Sequence, residues 1–198
     1  MNQIIKNTII LFVITLVAGI CLGTVHDITL DPIAQAQEAA ATKTYQEVYP
    51  DAASFDEPQE LADAVTAAAD SISEWGFGKV TINDAKEALD ASGNQIGYLI
   101  TSTSAESYGG NVQIAVGITN EGELTGIGFL SISDTPGLGM RAKEPDFKDQ
   151  FIGKKAENLE VTKTGASADN QIEAISGATI TSKAVTNATD AAIYFVAN

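Results

Sequence analysis

The sequence predicts an α+β protein: one membrane-spanning helix at the N-terminus, then a small domain in which helices pack on a twisted antiparallel sheet. Three observations predict it. Residues Thr8 to Val25 carry no charged side chain and are mostly Ile, Leu, Val, Phe and Ala. From Lys79 to Ile132 the chain alternates strand-like runs with turn residues. From Ile180 to Val196 apolar residues fall at Val185, Ala188, Ala192 and Phe195–Val196, close to helical spacing. At 198 residues the chain is long enough for one good-sized core plus appendages. The expected division is an anchor over 1–26, a helical stalk over 27–44 and an extracytoplasmic domain over 45–198.

At 1.5 Å per residue, Thr8 to Val25 makes roughly 27 Å of helix, enough for a hydrocarbon core of about 30 Å. A cleaved signal peptide is the competing reading, because Ala18-Gly19-Ile20-Cys21 sits where a cleavage site would fall. Ile20 stands where lipoprotein cleavage wants a small residue, which favours an uncleaved anchor. Lys6 precedes the span, while His26, Asp27 and Asp31 follow it with no Lys or Arg before Lys43. The positive-inside bias then puts the N-terminus in the cytoplasm and everything after Val25 outside.

Asp31-Pro32 reads as a fresh helix start, with Asp as N-cap and Pro at the first helical position. The run from Ile33 to Ala41 is then the stalk. Residues 45–58, with Pro50 and Pro58, read as irregular, and Gln59 to Ala69 as helix. Val80–Ile82 and Ala85–Leu89 are short strand candidates, and Ala91 to Asn94 is a turn before a strand over Gln95–Ser102. Val112–Thr119 and Leu124–Ile132 flank Asn120-Glu121-Gly122-Glu123, a hairpin signal because Asn and Gly accept positive φ. Phe147–Ile152 begins a helix, and Leu159–Thr162 is the last expected strand. No internal repeat is visible.

Composition narrows the function classes. With 11 Lys and Arg against 26 Asp and Glu, the net charge of −15 argues against a nucleic-acid partner. The one Cys excludes an intrachain disulfide and a Cys-ligated cluster built by this chain alone. The one His argues against a His-based metal site or a Ser–His pair. Carboxylates are abundant, but no spacing singles out a hydrolytic pair, and nothing argues for a metal. Seven of the eleven basic residues (Arg141, Lys143, Lys148, Lys154, Lys155, Lys163 and Lys183) lie between 141 and 183. Seven acids share that window, so it is neutral while the rest carries the whole −15. An anionic ligand fits there, although most of those lysines read as solvated surface.

Three small-residue motifs carry the chemistry. In Ser176-Gly177-Ala178-Thr179-Ile180-Thr181-Ser182, Gly177 and Ala178 leave the backbone bare. The hydroxyls of Ser176, Thr179, Thr181 and Ser182 crowd a helix start, where free N–H groups favour an anion and above all a phosphate. Ordinary capping accounts for the same residues, and chemistry alone does not choose among the four hydroxyls. Lys183 lies four residues after Thr179, on the same helix face, placed to neutralise a phosphate. Asp134-Thr135-Pro136-Gly137-Leu138-Gly139 is a turn after a strand. Its two glycines around one apolar side chain also suit the resting place of a flat ring. Tyr108-Gly109-Gly110 reads as a turn between strands.

Taken in order behind one anchor, these motifs resemble the FMN-binding domain shared by the G subunit of the Rnf complex and the C subunit of the Na⁺-translocating NADH:quinone reductase. Glu173 to Thr179 is similar to that family's Asp, two variable residues, Ser or Thr, then Gly-Ala-Thr, with Glu173 replacing the Asp. Asp134 to Gly139 resembles its Glu-Thr-Pro-Gly-Leu-Gly loop, with Asp134 in the Glu position. Tyr108-Gly109-Gly110 resembles Gly-Tyr-Gly-Gly, with Ser107 replacing the first Gly, and Thr29 to Ile33 continues the anchor as in the family.

The resemblance implies FMN joined to Thr179 by a phosphoester, so that Thr179 is the acceptor of a modification and no residue is a catalytic nucleophile. Ser176, Gly177, Ala178, Tyr108, Gly137 and Gly139 belong to the implied FMN site, with Thr135 hydrogen-bonding and Leu138 packing on the isoalloxazine. It also implies a Mg²⁺-dependent flavin transferase using FAD, and membrane-complex partners that pass electrons between ferredoxin and NAD⁺ coupled to Na⁺ or H⁺ translocation. The short ectodomain favours the Rnf protein over the quinone-reductase C subunit. An anchored binding module without redox chemistry is the alternative from another class.

Overall fold

A computed structural model of the chain describes residues 2–155 and 158–198. Contacts divide the chain into two units, Met1–Ala41 and Thr42–Asn198. The first helix, α1, runs from Gln3 to Val48 without a break. The fresh start expected at Asp31-Pro32 is absent: Pro32 lies inside the helix. An internal proline removes one hydrogen bond and crowds a carbonyl, at about 3 kcal/mol. Propagation on both sides outweighs that loss, because each further residue adds a bond without a new nucleation step.

Between Ile4 and Val25 the large apolar side chains of α1 are exposed, Leu11 and Phe12 each at 63%. The helix is long and apolar enough to cross a membrane, and none of its apolar stretch is buried by protein. The threonines of its apolar stretch bond within the helix. Thr8, Thr15 and Thr24 donate to the carbonyls of Ile4, Leu11 and Ile20 at 2.9, 3.1 and 3.0 Å. A helix surrounded by lipid needs that arrangement, since no water is there to take the bonds.

The second unit is built on a five-stranded meander, β1 (Ser54–Asp56), β2 (Val80–Leu89), β3 (Gln95–Ser107), β4 (Gly110–Thr119) and β5 (Leu124–Ile132). The strands lie in chain order and pair antiparallel throughout. Helix α2 (Gln59–Ser71) sits between β1 and β2. After the sheet come a single turn, α3 (Pro145–Lys148), then the short parallel pair β6 (Glu160–Thr162) and β7 (Gln171–Glu173), then α4 (Thr179–Ala197).

Several expected boundaries move, each for a local reason. Residues 45–58 are irregular only in part: α1 continues to Val48 and Ser54–Asp56 pairs with β2. The helix stops there because Pro50 follows, and Thr125 Oγ1 donates to the freed Val48 carbonyl at 2.7 Å. The two short strands expected over 80–89 are one. The register slips between Ile82 and Asp84, and Thr103 Oγ1 bridges to Asn83 Oδ1 at 2.6 Å across the bulge. In the β4–β5 turn the positive φ falls on Gly122 and not on Asn120. Phe147–Ile152 forms only the end of α3 and a 3₁₀ turn, held by Phe147 packing edge-on against Phe151. β7 was not anticipated, because three residues are too few to show a period.

The sheet is covered on both faces. On one, Ile100, Ile114, Val116 and Ile118 pack with Val185, Ala188 and Ala192 of α4. The small residues of α4 let it lie close, and Ser102 Oγ reaches the Ala188 carbonyl at 2.9 Å. On the other, Val48 packs with Leu99 and Ala115. A Cβ at Gly128 would strike Thr44 and Val48, so glycine there is the seat of the last turn of α1.

Candidate functional site

The site forms where α4 begins. Gly177, at φ +79°, turns the chain out of β7 and into the helix. Ala178 caps α4 with no side-chain hydrogen bond, so the first N–H groups have no intrahelical acceptor and point outward. The four hydroxyls then separate by environment. Ser182 is buried, accepts from the Ile175 N–H and donates to the Ala178 carbonyl, both at 3.0 Å. Thr181 is fully buried, and its Oγ1 donates to Asp134 Oδ2 at 2.6 Å. Ser176 is exposed on the turn, and Thr179 is half-buried.

Thr179, Ala178, Gly177 and Ile180 form one wall of a cleft of about 490 Å³, within the range of ~300–1,000 Å³ usual for cofactor sites. Thr135, Leu138 and Gly139 supply a second wall and Tyr108 a third, with Asp134 and Thr181 between them. The three sequence motifs thus meet. Ser176, Gly137 and Lys183 do not line the cleft. Gly137 instead provides the φ of +75° that bends the loop, and Lys183 is exposed one turn further along α4.

Asp134 joins the three segments, a role that sequence reasoning missed. Its Oδ2 accepts from Ser107 Oγ at 2.7 Å as well as from Thr181, and its Oδ1 accepts the Thr135 N–H at 2.7 Å. Burial opposes its charge, but hydrogen bonds from Thr181, Ser107 and the N–H groups of Thr135 and Gly109 outweigh it and hold the carboxyl below its ordinary value. The glycines follow from this packing. A Cβ on Gly139 would overlap the Asp134 carboxylate, and one on Gly109 would overlap the backbone of Ser133 and Asp134. Leu138 lies so close that a Cβ on Gly177 would sit 3.1 Å from its Cδ2.

Around the cleft, apolar side chains face solvent: Tyr108 is 73% exposed, Ile180 55% and Leu138 43%. Such groups at a glycine-walled cleft beside a helix N-terminus suit a ligand with a flat apolar ring and a phosphate.

Comparison with known proteins accounts for that combination. Residues 107–194 match the FMN-binding domain, and residues 1–48 match the RnfG N-terminal region. The G subunit of the Na⁺-translocating ferredoxin:NAD⁺ oxidoreductase complex of Acetobacterium woodii is 35% identical over 98% of this chain and 92% of its own. The G subunit of the proton-translocating ferredoxin:NAD⁺ oxidoreductase complex of Clostridium ljungdahlii is 30% identical over 97% of this chain and 91% of its own. Shewanella oneidensis NqrC, a crystal structure, is 19% identical at a TM-score of 0.46, covering 54% of this chain and 52% of that one. The chain belongs to the RnfG family, the G subunits of Rnf-type ion-translocating oxidoreductase complexes, and it carries that family's FMN-binding domain.

Proposed function

We propose that this chain is a membrane-anchored electron-transfer subunit of an Rnf-type complex, holding FMN in the cleft through a phosphoester to Thr179. Ferredoxin and NAD⁺ are the redox partners that the relatives' names give, and those names divide between Na⁺ and H⁺ as the coupled ion. The observation that carries the attachment site is the sorting of hydroxyls. Of the two α4 threonines that line the cleft, Thr181 is sealed against Asp134 and Thr179 is the accessible one.

The cleft residues fit the cofactor. The helix N-terminus faces the phosphate with N–H groups and the positive end of its dipole. Leu138, Tyr108 and Ile180 offer apolar surface to the ring, and Thr135 stands by for a hydrogen bond. Bound FMN supplies the redox chemistry; the protein positions it, sets its surroundings and keeps it from being lost outside the cell. Peptide mapping after co-expression with a flavin transferase tests the reading. FMN is expected on the peptide carrying Thr179, and a colourless protein would favour an anchored binding module instead.

The same reading places the domain outside the cytoplasm, on the strength of Lys6 before the apolar span and Asp27 and Asp31 after it. Protease added to intact cells, once any outer layer is permeabilised, should digest the region after Asp27. Protection of that region would overturn the topology, and a mature N-terminus at Cys21 would overturn the anchor.

Leu138 gives a separate check on the ring. Leu138→Ala should leave FMN attached, because the acceptor is untouched, yet change the flavin's fluorescence or its potential by removing the apolar wall. Identical spectra and potential in the variant would reduce the Thr135–Leu138 loop to a structural turn.

A further inference from the structure

We infer that Asp134 is an electrostatic determinant of the cofactor's reduction potential: its fixed negative charge in the cleft wall makes the bound ring harder to reduce. The inference rests on the cleft being the FMN site and adds to that reading a residue whose charge acts on the ring.

Asp134 lines the cleft, and only 9% of it is exposed. The hydrogen bonds to its carboxylate come from neutral donors, namely two hydroxyls and backbone N–H groups. Neutral donors hold a carboxylate in its charged form without cancelling the charge. Among the described residues no Lys or Arg lines the cleft or pairs with Asp134. The field of the carboxylate therefore enters the cleft through low-dielectric walls.

Reduction of bound FMN by one electron to an anionic form would add one negative charge at the cleft. A carboxylate within reach opposes that gain, so removing its charge should favour reduction. For a charge within ~10 Å at an effective dielectric of ~20, the effect on a one-electron equilibrium is roughly tenfold, about 59 mV.

The test is a potentiometric titration of the full-length, flavin-loaded protein in detergent, with dithionite as the electron donor and a reference dye. Asp134→Asn keeps the shape of the side chain. Its carbonyl can still accept the Thr135 N–H, and the Ser107 and Thr181 hydroxyls can rotate to accept from its amide. The midpoint should rise by about 59 mV, and Asp134→Glu, which restores the charge, should return it to near the parent value. Asp134→Ser removes the charge with less bulk, so a failure of the Asn variant to fold leaves the experiment intact. The flavin is mapped in the same samples. FMN on Thr179 with an unchanged or lowered midpoint in the neutral variants overturns the role of Asp134 and leaves the site standing. FMN mapped away from Thr179 overturns both.

Discussion

Thr179→Ala should yield a folded, membrane-bound protein with no covalent flavin, a complete loss rather than a reduction. Thr179 opens α4, and among the described residues its hydroxyl makes no hydrogen bond. Alanine is the better helix former, so the stability change should stay within ~1 kcal/mol. The neighbouring hydroxyls do not take over. Thr181 is fully buried, and the Asp134 charge against it repels an approaching phosphate, while Ser182 is buried and bonded within the turn that starts the helix. Thr179→Ser keeps the oxygen but loses the methyl that restricts its rotamer, so partial labelling is expected. Intact mass, peptide mapping and a thermal melt together check this. FMN on Thr181 or Ser182, or retained covalently in the alanine variant, would remove Thr179 from its role.

The second large effect concerns Asp190, on the buried face of α4 and away from the cleft. It is only 2% exposed, and its Oδ1 accepts the Leu159 N–H at 2.9 Å. One backbone donor is too little to hold the charge against burial, which pushes the carboxyl up from 3.8 to about 7. The sign follows from proton counting. Between pH ~4 and ~7 the folded state keeps a proton that the unfolded state has released, so stability falls as pH rises through that window and stays low above it. Asp190→Asn retains an oxygen for the Leu159 N–H and carries no charge. It should stabilise the protein at pH 8 by on the order of 2–4 kcal/mol, with the two proteins converging near pH 4. Denaturant melts of the full chain in detergent at both pH values measure it. A gain of equal size at the two values would show that the carboxyl is not the strained group.

The anchor, the β4–β5 hairpin and α4 announce themselves through local patterns: a long apolar run, a glycine between alternating strands, and a helical period. Pro32 misled because local chemistry favours a helix start there, while the cooperativity of a 46-residue helix overrides it. β7 was invisible because three residues in parallel pairing owe their structure to a partner strand. The site divides in the same way. Its glycine-rich segments were legible as motifs, but the choice between Thr179 and Thr181 was not. That choice depends on a hydrogen bond between residues 47 positions apart, which no spacing rule encodes. Ser107, replacing a glycine of the family pattern, looked like a departure and proves to be a donor to Asp134.

The meander has a consequence for the order of maturation. Strands that neighbour one another in sequence also pair in space, so the sheet can assemble as the chain emerges. Helix α4 follows every strand of the domain, and it must dock on β3 before Thr181 can meet the carboxylate that arrived 47 residues earlier. Until then the cleft has no wall at its helix side, and the four hydroxyls are equally bare. A transferase that recognises the finished cleft would act on the folded domain and pass over the nascent chain, making flavin attachment a mark that folding is complete.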